Sequence, residues 1–141
     1  MHFIFGGAFN GKRKWVKERY HDAFWCSAYR GDKLVMNSRH NVMVIEGIEQ
    51  YIKESIEEGM TIEEVRRAFQ TIVTDWLLLE ASGHQVVIIG TEIGKGIVPM
   101  NPQDRAWRDS CGYVYQHIVK NAHIVDHIWY GVSNRLKGEQ E

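Results

Sequence analysis

Short apolar runs alternate along this chain with longer stretches in which apolar residues recur every three or four positions. The short runs are residues 2–5, 23–28, 42–45, 86–89 and 123–130. Ile, Val and Phe dominate them, with little polar alternation, so they read as strands buried on both faces. The stretches 12–20, 48–58, 62–82 and 102–121 read as helices. Thr61-Ile62-Glu63-Glu64 has the form of a capping box, with Thr61 as N-cap and Glu64 reaching back. Behind it, Ile62, Val65, Phe69, Ile72, Val73 and Trp76 form one apolar stripe. Gly59 is placed to stop the preceding helix, and Asn101-Pro102 to start the last one. Buried strands alternating with helices predict an α/β fold, a mostly parallel sheet covered on both faces. Residues 138–141 read as a polar, frayed tail, and no linker or repeat divides the chain, so residues 1–141 are expected to form one domain.

Composition narrows the function. The chain has 141 residues, 44% of them hydrophobic, and a formal net charge of −1. That balance does not support bulk electrostatic binding to nucleic acid or a polybasic membrane patch. Cys26 and Cys111 form neither a metal motif nor a disulfide framework, which points to a reducing, cytoplasmic setting. The apolar run at the N-terminus is too short for a signal peptide, and no stretch reaches the length of a membrane span.

The candidate chemistry begins at Gly6-Gly7-Ala8-Phe9-Asn10-Gly11-Lys12. Gly6, Gly11 and Lys12 match the phosphate-binding loop pattern, with a strand before and a helix after. Glycines let the backbone wrap around phosphate oxygens, the amides and the helix start face the anion, and Lys12 adds a full positive charge. The alternative is a plain glycine turn between strand and helix. The next position, where the pattern has a Ser or Thr hydroxyl for Mg²⁺, is Arg13, which cannot ligate a cation. Arg13 can instead offset phosphate charge, or mark a site that binds nucleotide without turnover.

Glu46 directly follows the apolar run 42–45. Beyond the carboxyl end of a parallel strand, a carboxylate can hold Mg²⁺ through water or accept a bond from a nucleotide. It can equally be an exposed acid at a helix start. A second glycine-rich loop, with Glu92, Gly94 and Gly96, follows residues 86–89. In the helix after it, Trp107, Cys111, Val114 and Ile118 form the inward stripe, while Arg105, Arg108, Asp109, Gly112 and Gln116 share the opposite face. Gly112 costs about 1 kcal/mol against Ala in a helix interior, so a ligand or a subunit approaching there would explain it. Of the histidines, His40 is the one to watch, because it precedes the strand leading to Glu46.

The stretch 86–99, read with Arg105, Trp107-Arg108-Asp109, Gly112 and Gln116, resembles the adenosylcobinamide kinase / adenosylcobinamide-phosphate guanylyltransferase family. That family typically reads N-E-V-G-x-G-I-V-P, then R-x-F-R-D-x-x-G-R-x-N-Q, after an N-terminal G-G-x-x-S-G-K-S. The resemblance extends to Glu46 and to residues 123–137, whereas residues 29–40 are much shorter than in the family. It implies a RecA-like P-loop fold, a homotrimer, ATP or GTP as phosphate donor and adenosylcobinamide as acceptor; a Mg²⁺ ion would be organised by Glu46 and Glu92. Lys12 and Glu46 would carry the kinase chemistry. The family's guanylylated histidine has no counterpart identified here. Arg13 replaces the family's Ser, Thr91 its Asn, and Tyr113 and Tyr115 its Arg and Asn. These departures leave two functional expectations: a nucleotide-dependent kinase, or a catalytically impaired nucleotide-binding or interaction protein of the same fold.

Overall fold

The computed structural model describes residues 1–8, 10–37, 39–93 and 101–139. Among them six strands form one sheet: β1 (His2–Gly6), β2 (Phe24–Ser27), β3 (Val42–Glu46), β4 (Gln85–Thr91), β5 (Ile124–Trp129) and β6 (Val132–Lys137). The spatial order is β2-β3-β4-β1-β5-β6. The first five strands run parallel and β6 pairs antiparallel with β5. One strand, β4, lies between the strand that leads into the glycine loop and the strand that ends in Glu46.

Both faces of this sheet are covered, which is why its strands lack alternation. Phe3, Met43, Ile45, Val86 and Ile88 point into the larger core, packed under helices α2 (Ile48–Glu57), α3 (Ile62–Ala81) and α4 (Pro102–Asn121). Ile4, Val44, Val87, Ile89 and Ile128 face the other way, against Trp15 and Val16 of α1 (Lys12–Arg19). The predicted punctuation holds. Thr61 and Glu64 exchange the two hydrogen bonds of a capping box, and Asn101 caps α4 ahead of Pro102. The strand expected over residues 23–28 spans Phe24–Ser27, and Ala28 instead opens a short 3-10 turn, Ala28–Arg30.

The C-terminal segment differs from expectation. A sixth strand follows the predicted last one, through a tight turn in which Tyr130 and Gly131 both have positive φ (47° and 78°), the geometry of a two-residue hairpin. At the end of β6, the Gly138 backbone packs against the His123 carbonyl, while residues 140 and 141 of the expected tail lie outside the described residues. The architecture is thus the expected α/β fold, a RecA-like arrangement of a mostly parallel sheet flanked by helices.

Candidate functional site

The carboxyl ends of β1, β3 and β4 lie side by side, and a cleft of about 860 Å³ opens there. Open parallel sheets place their ligands at this edge. Ala8, Asn10, Gly11, Lys12, Arg13 and Lys14 line one wall, and Glu46, Glu49, Tyr29, Thr91, Ile93 and Trp107 line the rest.

The glycine loop is shaped by backbone necessity. A Cβ on Gly6 would stand 2.4 Å from the carbonyl oxygen of Ile128 on β5. Gly11 takes a left-handed conformation (φ 85°) at the start of α1. The hairpin turn buttresses the loop, since the Gly131 amide donates to the Asn10 carbonyl at 2.7 Å. Lys12 folds back over the loop, its Nζ donating to the carbonyls of Gly7 (2.7 Å) and Gly6 (3.3 Å). Its residue is only 8% exposed. Burial pulls the ammonium below the ordinary lysine range, and the charges of Glu49, Glu92 and Glu46 partly offset that. The loop thus holds a buried cation on backbone carbonyls with carboxylates around it, an arrangement that an entering anion can complete.

Glu46 ends β3 as a buried residue, 4% exposed, and not as an exposed acid at a helix start. Arg13 grips it with two bonds, Nε to Oε2 at 2.8 Å and Nη2 to Oε1 at 2.5 Å, and the Ser27 hydroxyl donates to Oε1 at 2.7 Å. Burial alone would raise the Glu46 carboxyl; the bonds from Arg13 and Ser27 outweigh it and hold the group below its ordinary value. The same pairing raises Arg13.

Glu49 is the residue that sequence reasoning missed. Gly47, left-handed with φ 82°, turns the chain so that Glu49 falls in the first turn of α2. Its carboxylate accepts from the Thr91 amide (2.9 Å) and from the Tyr29 hydroxyl. Burial, then that bond, push the Tyr29 hydroxyl far above its usual range. The Trp107 indole N–H donates to the Glu49 carbonyl at 2.8 Å, fixing α4 against α2. The spacing Glu46-Gly47-x-Glu49 at a strand end was the available signal; Tyr29 and Ser27 carried none.

The other predicted residues separate. Glu92, at the end of β4, donates its amide to the Gly6 carbonyl and stands 3.3 Å from Nε2 of His127 on β5. Arg105, Arg108 and Asp109 on α4 are not among the residues lining the cleft, and Arg108 pairs with Asp109 at 3.2 Å. Among the described residues, and leaving aside the backbone of its own helix, nothing lies within 4 Å of a Cβ placed on Gly112. His40 sits ahead of β3, at the opposite end of the strand from the cleft. Phe9, Gly94 and Gly96 lie outside the described residues. Cys26 and Cys111 are buried and unbridged. Among the described residues no helix is long and apolar enough to cross a membrane.

A family model described as cobinamide kinase / cobinamide phosphate guanyltransferase matches residues 28–136. The match starts after the glycine loop, so the loop's reading rests on its own geometry. A search of the curated proteins found no match. Proteins of the matched family are P-loop NTPase-like and use nucleotides and cobinamides, in accord with the sheet order and the position of the cleft. With most of its length covered by that match, the chain belongs to the cobinamide kinase / cobinamide phosphate guanyltransferase family.

Proposed function

We propose that the chain is a nucleotide-dependent kinase acting on an adenosylcobinamide-type alcohol, with ATP or GTP as donor. In this reading residues 6–12 cradle the nucleotide phosphates through backbone N–H groups and the start of α1. The Lys12 ammonium leaves the carbonyls of Gly6 and Gly7 for the terminal phosphates. The observation that carries the reading is this buried lysine, folded over its own loop and lining a cleft at the carboxyl ends of the parallel strands.

Phosphoryl transfer is mostly positioning and charge stabilisation. The acceptor hydroxyl enters from the side of Trp107 and Ile93, and its oxygen attacks the γ-phosphorus. The bond from that phosphorus to the β-phosphate oxygen breaks, and the proton passes to the Glu49 carboxylate. Glu49 suits that task because Tyr29 and Thr91 fix its position. Glu46, tied to Arg13, orients the cation beside the phosphates rather than taking a proton. The Mg²⁺ expected of such a site does not suit these donors, because Arg13 stands where a hydroxyl ligand belongs. Guanylyl transfer ranks behind kinase chemistry, since no histidine is among the residues lining the cleft.

The whole chain acts as one nucleotide-binding domain in this reading, in the cytoplasm and as a homotrimer. The exposed Trp129, Tyr130 and Val132 on the hairpin are a surface such an assembly can cover. The Arg13–Glu46 pair favours a second reading, a protein that binds nucleotide without turning it over. Radiolabelled phosphate transfer from ATP or GTP to adenosylcobinamide, run beside calorimetry with the same nucleotides, separates the two. Labelled product supports the kinase. Binding without product supports the second reading, and no binding refutes both.

A further inference from the structure

The phosphate site carries a fixed cation where its pattern calls for a metal ligand. We propose that it takes its nucleoside triphosphate without a divalent cation, the Arg13 guanidinium supplying the charge a metal would supply. This rests on the nucleotide reading of the cleft.

Three features of the donor set support it. The residue after Lys12, in the first turn of α1, normally offers a hydroxyl oxygen to the metal. Arg13 has no lone pair to offer and brings a permanent positive charge instead. The acid on β3 that would complete the metal's surroundings is already engaged. Oxygen Oε1 of Glu46 accepts from Arg13 at 2.5 Å and from Ser27 at 2.7 Å, and Oε2 accepts from Arg13 at 2.8 Å. A magnesium ion needs several oxygen ligands in near-octahedral order at ~2.1 Å. Glu46 could join such a shell only by giving up these bonds, and the ion would then stand beside a guanidinium of like charge. Finally, a nucleotide-bound magnesium takes only one or two protein oxygens, and in this loop pattern those come from the residue after the lysine and from a strand-end acid.

The same geometry shows what Arg13 can do in the metal's place. Its side chain is 51% exposed and lines the cleft next to Lys12 and Lys14. The pair with Glu46 occupies Nε and Nη2, so the fork's other N–H donors are not used by it. A planar guanidinium matches phosphate oxygens with two parallel bonds. Glu46 then acts as the positioning residue that fixes the guanidinium against the phosphates.

The test is titration of the full chain with N-methylanthraniloyl-labelled ATP and GTP, in EDTA and in excess MgCl₂. The affinity in EDTA is expected to equal that in Mg²⁺ within about threefold, or to exceed it. Arg13→Ser should lose about tenfold or more in EDTA and regain affinity when Mg²⁺ is added. Arg13→Lys keeps a cation and should stay metal-independent, so it decides the matter should Arg13→Ser fail to fold by circular dichroism. A wild-type affinity that falls about tenfold or more in EDTA overturns the inference while leaving nucleotide binding intact. Absence of binding in both buffers overturns the nucleotide reading and this inference with it.

Discussion

Replacing Arg13 by Ala removes both bonds it makes to Glu46 while leaving the bond from Ser27. The cost follows from how unequally the partners are exposed: the Arg13 side chain is 51% accessible, that of Glu46 only 6%. Breaking a fully buried pair costs about 3–5 kcal/mol, and an exposed pair contributes about 1 kcal/mol or less. Water reaches Arg13 but scarcely reaches Glu46, so the loss should fall between these limits, at about 2 kcal/mol near neutral pH. For a chain of this size that is a melting-temperature drop of about 6 °C. Acid should then erase the difference. In the wild type Glu46 titrates below its unfolded value, so the pair's contribution is complete above that value and is lost as pH falls through the folded one. In the variant, burial is opposed only by the Ser27 bond and the charge of Lys17, the carboxyl moves upward, and protonation relieves the buried charge. The gap between the two proteins is therefore widest near neutrality and closes below about pH 4. Urea unfolding followed by tryptophan fluorescence at both pH values measures it. A gap under about 0.5 kcal/mol at neutral pH, or one that acid leaves unchanged, would refute the electrostatic account of Glu46.

Three further outcomes follow from the geometry. Lys12→Met should lower nucleotide affinity about a hundredfold by calorimetry, because a desolvated ammonium facing phosphates contributes about 3 kcal/mol; an unchanged affinity would remove the loop from the site. Gly6→Ala should destabilise by about 2–3 kcal/mol, since its Cβ meets the Ile128 carbonyl, whereas Gly112→Ala, in open space within α4, should stabilise the isolated chain by about 0.5–1 kcal/mol. Both are read from thermal melts, and equal shifts in the same direction would contradict the packing described. If the chain is an active kinase, Glu49→Gln should reduce kcat about 10²–10⁴-fold with little change in KM for the nucleotide, and a loss confined to KM would make Glu49 a binding residue instead.

What could be read from the sequence was what backbone geometry demands locally. Gly6 and Gly11 announce a loop because one lies too close to β5 for any side chain and the other needs a left-handed conformation. The buried strands announce themselves because both faces are covered. Strand β6 stayed hidden because its residues are mostly exposed and carry no periodic apolar pattern. It is held to the strand before it by a polar contact rather than an apolar stripe, with Arg135 donating to the buried Asp126 opposite it on β5 at 2.8 Å. The same division runs through the cleft. Glu46 admitted two readings until Arg13, thirty-three positions earlier, was found on its carboxylate, and Glu49 reaches the site only because Gly47 turns the chain after β3. Position 13 looked like a defect when compared with the phosphate-loop pattern alone. Set against Glu46 and Ser27 it is one member of a charge-compensated group, in which the arginine balances the acid that a metal would otherwise have to share. A departure from the motif at one position therefore has to be judged with the carboxylate it meets across the sheet, and only the fold identifies that carboxylate.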